Sequence, residues 1–222
     1  MIKTKSIKIL KTLYYLKSFG YNYNENVVIQ HEKKVVALPN SMSDLNQVVQ
    51  NCNLCNLSKT RTNILFGNGA SSSGIVLLTF APTDLEDKEG RFYSGRAGQM
   101  IENIVTNVLK RNLEDVFITS VLKCKPSVGD SNLSDSIDKC TQYLNHQLKL
   151  IKPKIVIIFG ENVYESFIGK SDFEEVKGNI FEFGGLKILA TYEHTHILKN
   201  PTLKKEVLVS MLKVNEFMEN CV

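Results

Sequence analysis

Apolar residues recur at helical spacing near the start of the chain. Ile7, Leu10, Leu13 and Tyr14 are interleaved with Lys8, Lys11 and Lys17, which predicts a basic amphipathic helix over residues 5–18. The periodicity is lost over residues 20–40, a mixed, Asn-rich stretch that reads as a linker or arm. Ser41 then offers N-cap chemistry for a short helix through Val48 and Val49 that runs directly into Cys52. Four later segments, 75–80, 116–121, 155–159 and 187–192, are short, rich in β-branched or aromatic residues and almost continuously apolar. Continuous rather than alternating runs suit strands covered on both faces, as in a parallel sheet. Helical patterns fill the intervals, at 98–109, 134–151 and 162–168, and a last one at 203–218 closes the chain. The alternation predicts an α/β sandwich. Ligands of such sheets bind beyond the carboxyl ends of the strands, here residues 79–87, 120–126, 160–161 and 192–199.

Composition narrows the class. The chain has 222 residues, 43% hydrophobic and 23% charged, with 13 Gly and 5 Pro, which argues against disorder, collagen-like repeats and coiled coils. A chain of this size buries roughly 70% of its unfolded surface, enough for a core without disulfide staples. The expected division is an N-terminal basic helix and arm over residues 1–40 and a main domain over 41–222. The longest clean apolar run, Ile155-Val156-Ile157-Ile158-Phe159, is far short of the ~20 residues of a membrane span. Lysines interrupt the N-terminus where a signal peptide would be continuously apolar. The expectation is a cytoplasmic protein without a membrane partner. A net charge of +4 permits a nucleic-acid partner without demanding one.

The cysteines carry the first chemical signal. Cys52 and Cys55 form a C-x2-C pair, and Cys124 and Cys140 are separated by fifteen residues. In a reducing compartment disulfides are not expected, and four thiolates can hold a [4Fe–4S] cluster or a tetrahedral zinc. Free cysteines also serve as small buried hydrophobes, but Cys52 and Cys55 lie in a polar Asn-rich turn and Cys124 follows a lysine just past a strand end. Cys221 has no partner left and reads as a bystander. Gly67-Asn68-Gly69 precedes a strand instead of following one and lacks the third spaced glycine of a dinucleotide loop. His194 and His196 have Glu193 beside them but no further histidine nearby to complete a metal site.

Several motifs in order resemble the family-4, iron–sulfur type of uracil-DNA glycosylase. They are the C-x2-C pair, a strand leading into Ala81-Pro82-Thr83-Asp84-Leu85-Glu86-Asp87, then Ser94-Gly95-Arg96-Ala97-Gly98-Gln99, Ile118-Thr119-Ser120-Val121-Leu122-Lys123-Cys124, Cys140 with Tyr143-Leu144, and Thr191-Tyr192 through Asn200-Pro201. The resemblance covers about residues 43–215. It implies a three-layer α/β/α sandwich around a four-stranded parallel sheet, with a [4Fe–4S] cluster on Cys52, Cys55, Cys124 and Cys140. It also implies a DNA partner, a monomer, and excision of uracil or another deaminated base by N-glycosidic hydrolysis of a flipped-out nucleotide in base-excision repair. The alternative is a catalytically degenerate homologue that binds DNA without excision.

Carried over residue by residue, the resemblance implies a substrate-binding set of Thr79, Phe80, Ala81, Asp84, Tyr93 and Ser120. Phe80 stands where the family has glutamate, Tyr93 where it has a stacking phenylalanine, and Ser120 where an asparagine bonds the uracil edge. Glu193 occupies the catalytic histidine position and His194 that of the following proline, so these two are the expected catalytic pair. Segments 88–96, 110–125 and 187–213 each carry an excess of lysine and arginine near the expected ligand edge. Arg96, Ile197, Leu198 and Lys199 are the expected DNA contacts, with Ile197-Leu198 as an apolar wedge for the space a flipped base leaves.

Overall fold

The computed structural model describes residues 2–18, 20, 38–127, 133–169 and 172–220. Two compact units divide at Ala37 and Leu38. The first contains helix α1 (Ile2–Ser18), which contains the predicted amphipathic segment. Residues 21–37, most of the expected arm, lie outside the described residues, as does Cys221. No helix among the described residues is long and apolar enough to cross a membrane.

The second unit opens with α2 (Met42–Gln50), where the Ser41 hydroxyl accepts the Asp44 N–H at 3.1 Å as the predicted cap. Strand β1 (Ile75–Thr79) leads into α3 (Asp84–Glu89) and α4 (Gly95–Asn103), and β2 (Phe117–Ser120) into α5 (Leu133–Ile151). Strand β3 (Ile155–Phe159) is followed by α6 (Glu161–Ile168), α7 (Phe173–Val176) and β4 (Ile180–Phe183), then by β5 (Leu186–Thr191), α8 (His194–Lys199) and α9 (Lys204–Asn220). The sheet order is β2-β1-β3-β5-β4. The four predicted strands are β1, β2, β3 and β5, and their pairings are parallel as expected.

The sheet has five strands rather than four. Strand β4 pairs antiparallel with β5, with Phe183 opposite Leu186 across Gly184 and Gly185, whose φ values are +57° and +80°. Both central residues of this tight hairpin are left-handed, which glycine adopts without strain.

Alternate residues of the central strands face opposite layers. Val76, Leu78, Val156, Ile158 and Ile188 pack with Leu144, Leu148, Val163 and Tyr164 of α5 and α6. Leu77, Ile155, Ile157 and Leu189 pack with Ile101 of α4 and Val207, Met211 and Val214 of α9. Complete burial of β1 and β3 accounts for their apolar runs, and β2 is buried throughout although it carries Thr119 and Ser120. The predicted helix at 98–109 is not uniform. It begins at Gly95 and widens to a π turn over Ile104–Val108, where the Leu109 N–H reaches the Ile104 carbonyl at 2.9 Å.

A smaller cluster positions the cysteines. Leu45 and Val49 of α2 pack with Phe66 and with Tyr143 of α5. Because α2 leads into Cys52 and α5 carries Cys140, this contact brings two distant parts of the sequence together.

Candidate functional site

The carboxyl ends of the strands gather most of the predicted substrate-binding residues. Thr79 and Ser120 end β1 and β2 opposite each other in the sheet. The chains stay paired past the strands, the Val121 N–H bonding the Thr79 carbonyl and the Leu122 N–H the Phe80 carbonyl, each at 2.9 Å. Ser120 is fully buried and its hydroxyl donates to the Leu122 carbonyl at 2.7 Å. Phe80 and Ala81 pack against the cluster of Leu57, Leu122 and Cys124, so the ring at the family's acidic position lies among apolar neighbours of a cysteine. Asp84 is exposed and ion-paired with Lys125.

Helix α3 begins with a reciprocal cap between Thr83 and Glu86. Asp87, beside it, is buried and accepts the backbone N–H groups of Thr62 and Asn63 at 3.0–3.1 Å. Burial alone would raise its carboxyl, but these bonds and nearby Lys125 hold it below the usual carboxylate value. Tyr93 follows at φ +65°, packed against the Leu77 side of the core. Burial, with Glu102 and Glu86 adding to it, raises its phenol well above the usual value, so it stays protonated.

The expected catalytic pair sits where β5 meets α8. Glu193 is the N-terminal flanking residue of α8, half-buried, and its Oε1 accepts the Thr195 hydroxyl at 2.6 Å. Gly160 lies against it: a Cβ there would come within 3.1 Å of the Glu193 Cβ. His194 points inward, 6% exposed, with its ring edge-on to Phe159 at 6.4 Å. Burial lowers its pKa, partly offset by the Glu193 charge, so the imidazole is neutral at pH 7. Two buried side-chain polar atoms have no hydrogen-bond partner among the described residues: the Tyr93 hydroxyl and His194 Nδ1. His196 is exposed and its ring stands against Tyr192, so the two histidines do not converge on one metal.

The DNA-facing expectation divides. Ile197 is 0% exposed in the core with Val207 and Met211, which excludes it as a wedge, whereas Leu198 is 38% exposed. Leu198 and Arg96 line one groove with Lys204, and Lys199 is exposed on the same short helix. Helix phase decides this, since consecutive residues of α8 cannot both face the core. Lys123, which falls in the basic segment 110–125, is 1% exposed. Its ammonium donates to the Thr119 hydroxyl oxygen and the Ser120 carbonyl, both at 2.6 Å. Burial pushes its pKa down to about 8, against the opposing influence of Cys140 and Cys124.

Cys52, Cys55, Cys124 and Cys140 are free and line one cavity with Arg61, Lys123, Lys139 and Tyr143. The Arg61 guanidinium donates to the Cys124 sulfur at 3.3 Å and to the Cys52 carbonyl at 2.8 Å, and the Lys123 N–H donates to the Cys140 sulfur at 3.3 Å. As thiols, Cys124 and Cys140 are raised by burial, Cys140 to about 11, with Arg61 and Lys123 respectively pulling them down. Among the described residues no group of three His, Cys, Asp or Glu side chains could hold a single metal ion. A polynuclear cluster has a different requirement, because its thiolates bind separate irons rather than converging on one. The donor set of four sulfurs, backed by a guanidinium and a backbone N–H that offset thiolate charge, fits such a cluster. Arg61 carries no motif of its own, and Glu86 and Asp87 stand in the sequence only as part of the segment after β1, without an expected role. The Thr83-x-x-Glu86 capping spacing was the one available signal.

Comparison with known proteins identifies the family. The family model of the uracil DNA glycosylase superfamily matches residues 66–214. A type-4 uracil-DNA glycosylase of Archaeoglobus fulgidus is 30% identical over 185 residues, covering 79% of this chain and 92% of that protein. One from Saccharolobus solfataricus is 32% identical over 181 residues, covering 78% and 84%. One from Thermotoga maritima is 29% identical over 183 residues, covering 80% and 95%.

Proposed function

The chain belongs to the uracil-DNA glycosylase superfamily, in its type-4 branch, and from that premise we propose that it excises uracil or another deaminated base from DNA by hydrolysing the N-glycosidic bond of a flipped-out nucleotide. The observation that carries this reading is the pair of unpartnered buried atoms, the Tyr93 hydroxyl and His194 Nδ1. A buried polar group left unpaired costs about 1–3 kcal/mol, and a polar ligand relieves that cost.

In this reading His194 is the electrophilic group. A neutral imidazole can donate to a base carbonyl and stabilise the charge that develops there as the C1′–N bond breaks with its electron pair going to the base. Water adds to C1′ and gives a proton to the carboxylate of Glu193. Tyr93 stacks on the base, and Thr79, Ala81 and Ser120 form the strand-end wall, with Phe80 supporting it from the cysteine side. Asp84 acts through Lys125 at the rim. Arg96, Leu198 and Lys199 face the DNA. Cys52, Cys55, Cys124 and Cys140 hold a [4Fe–4S] cluster whose contribution is structural, pinning the loops around the strand ends. The basic N-terminal segment of residues 1–40 is accessory to the glycosylase domain of residues 41–222, and the protein acts as a cytoplasmic monomer.

The test is base release from oligonucleotides carrying uracil, hypoxanthine or xanthine by anaerobically purified protein, with Glu193→Ala and His194→Ala beside it. Release abolished by the His194 change and reduced by the Glu193 change is the expected result. Tight, salt-sensitive DNA binding without release from any substrate would instead support a binding protein. One observation favours that second reading: the Ser120 hydroxyl already donates to Leu122 and offers a base only its lone pairs.

A further inference from the structure

The loop carrying Tyr93 leaves α3 and turns into α4, and one buried carboxylate governs it. Glu86 is 5% exposed. Its Oε2 accepts both the N–H and the hydroxyl of Thr83, each at 3.0 Å, and its Oε1 accepts the Tyr93 N–H at 3.2 Å. The first is half of a reciprocal helix cap, whose other half is the Glu86 N–H donating to the Thr83 hydroxyl oxygen at 3.3 Å, and the second ties the same two residues together. The third reaches seven residues on and has no part in capping.

That third bond falls on a residue in an unfavourable conformation. Tyr93 lies at φ +65°, where a bulky L-residue is an outlier held only by its surroundings. Gly98 restrains it from the other side: a Cβ at that position would stand 2.3 Å from the Tyr93 Cα and 2.1 Å from its carbonyl carbon. The Tyr93 backbone is thus held between the Glu86 carboxylate and the first turns of α4. The same carboxylate fixes Thr83, two residues past Ala81, so it joins both segments that carry the strand-end and stacking residues.

We infer that Glu86 is a positioning residue for base recognition: its carboxylate holds Tyr93 in the left-handed backbone conformation and so sets where the aromatic ring lies against an extruded base. The inference rests on the proposed base-binding role of Tyr93. A carboxylate is required because three donors converge on its two oxygens. A glutamine presents one oxygen and turns an NH2 group towards a donor.

The experiment measures affinity for a uracil oligonucleotide relative to the same oligonucleotide with cytosine, KM and kcat for uracil release, and the thermal midpoint. The proteins are wild type, Glu86→Gln, Tyr93→Ala and the double variant, with Glu86→Asp as a milder change that keeps the charge and shortens the reach. Glu86→Gln is expected to reduce the uracil preference about tenfold, mainly through KM, and to have no further effect on it when Tyr93 is already alanine. Its thermal shift is expected in both backgrounds, since the cap to Thr83 is weakened in each. A full tenfold loss of preference in the Tyr93→Ala background would overturn the inference, because Glu86 would then act independently of the ring. So would an unchanged preference in both Glu86 variants. If Tyr93→Ala alone leaves the preference intact, the base-binding reading of Tyr93 fails first, and the inference falls with it.

Discussion

The Lys123 ammonium donates to the Ser120 carbonyl across 2.6 Å, which bonds the residue before Cys124 to the residue that ends β2. The cysteine cavity and the strand-end wall are therefore joined through one buried cation. Lys123→Met keeps the apolar stem and removes the donor from the Ser120 carbonyl and the Thr119 hydroxyl. The expected loss is about 1–3 kcal/mol, because buried acceptors are left with fewer partners. Anaerobic urea unfolding checks it, and an unchanged midpoint would mean that the lysine contributes only its stem.

The close approach of α4 to Tyr93 gives a second expectation. Gly98→Ala would place a methyl 2.1–2.6 Å from Tyr93 backbone atoms, which cannot move without displacing the ring. Destabilisation of about 1–3 kcal/mol is expected, together with weaker base release. Gly169 is the control, since it is left-handed at φ +75° with nothing within 4 Å of an added Cβ. Gly169→Ala should cost only about 1 kcal/mol of backbone strain and leave base release unchanged. Equal effects of the two changes would show that crowding at Tyr93 is immaterial.

How much of this could be read from residue types is uneven, and the reasons are physical. The four parallel strands were legible because burial on both faces favours an apolar run, continuous in Ile155-Val156-Ile157-Ile158-Phe159. Strand β4 was not, because as a half-buried edge its Ile180-Phe181-Glu182-Phe183 run admits a glutamate, though Gly184-Gly185 marked the hairpin. The four cysteines were legible by spacing, and they do line one cavity. Lys123 and Glu86 were misjudged or missed because a charged residue reads as surface unless its partners are known, and those partners are backbone groups that any sequence supplies. Ile197 and Leu198 are equally apolar, and nothing but the phase of α8 separates core from rim.

His194 makes stability depend on pH in a definite direction. Burial holds its folded pKa below the ordinary 6.5. Above that value both folded and unfolded states carry a neutral imidazole, and the group adds nothing. Below it the unfolded chain takes a proton that the folded protein resists, so stability is lost as pH falls from about 6.5 towards the folded pKa and the loss is constant beyond it. His194→Phe keeps an aromatic ring against Phe159 and removes the proton. Between about pH 8 and about pH 5.5 the variant's urea midpoint should therefore fall less than that of the wild type. Parallel falls in the two proteins would mean that His194 titrates normally and is not buried in solution.

The division of Ile197 from Leu198 gives the last prediction, because it separates folding from DNA contact at adjacent positions. Ile197 is enclosed by the core between the sheet and α9, so Ile197→Ala should cost about 2–5 kcal/mol, the range for truncating a fully buried aliphatic side chain. Leu198 stands on the rim of the groove shared with Arg96 and Lys204. Leu198→Ala should leave the unfolding midpoint within about 0.5 kcal/mol of wild type while lowering excision of uracil from duplex DNA. A leucine that fills the gap left by an extruded base matters where a stacked duplex must be opened and less where the strand is already single. The defect should therefore be larger on duplex than on single-stranded substrate. A loss of the same size on both would place Leu198 in general DNA contact and not at the extruded base, and no loss on either would remove α8 from the DNA-facing surface.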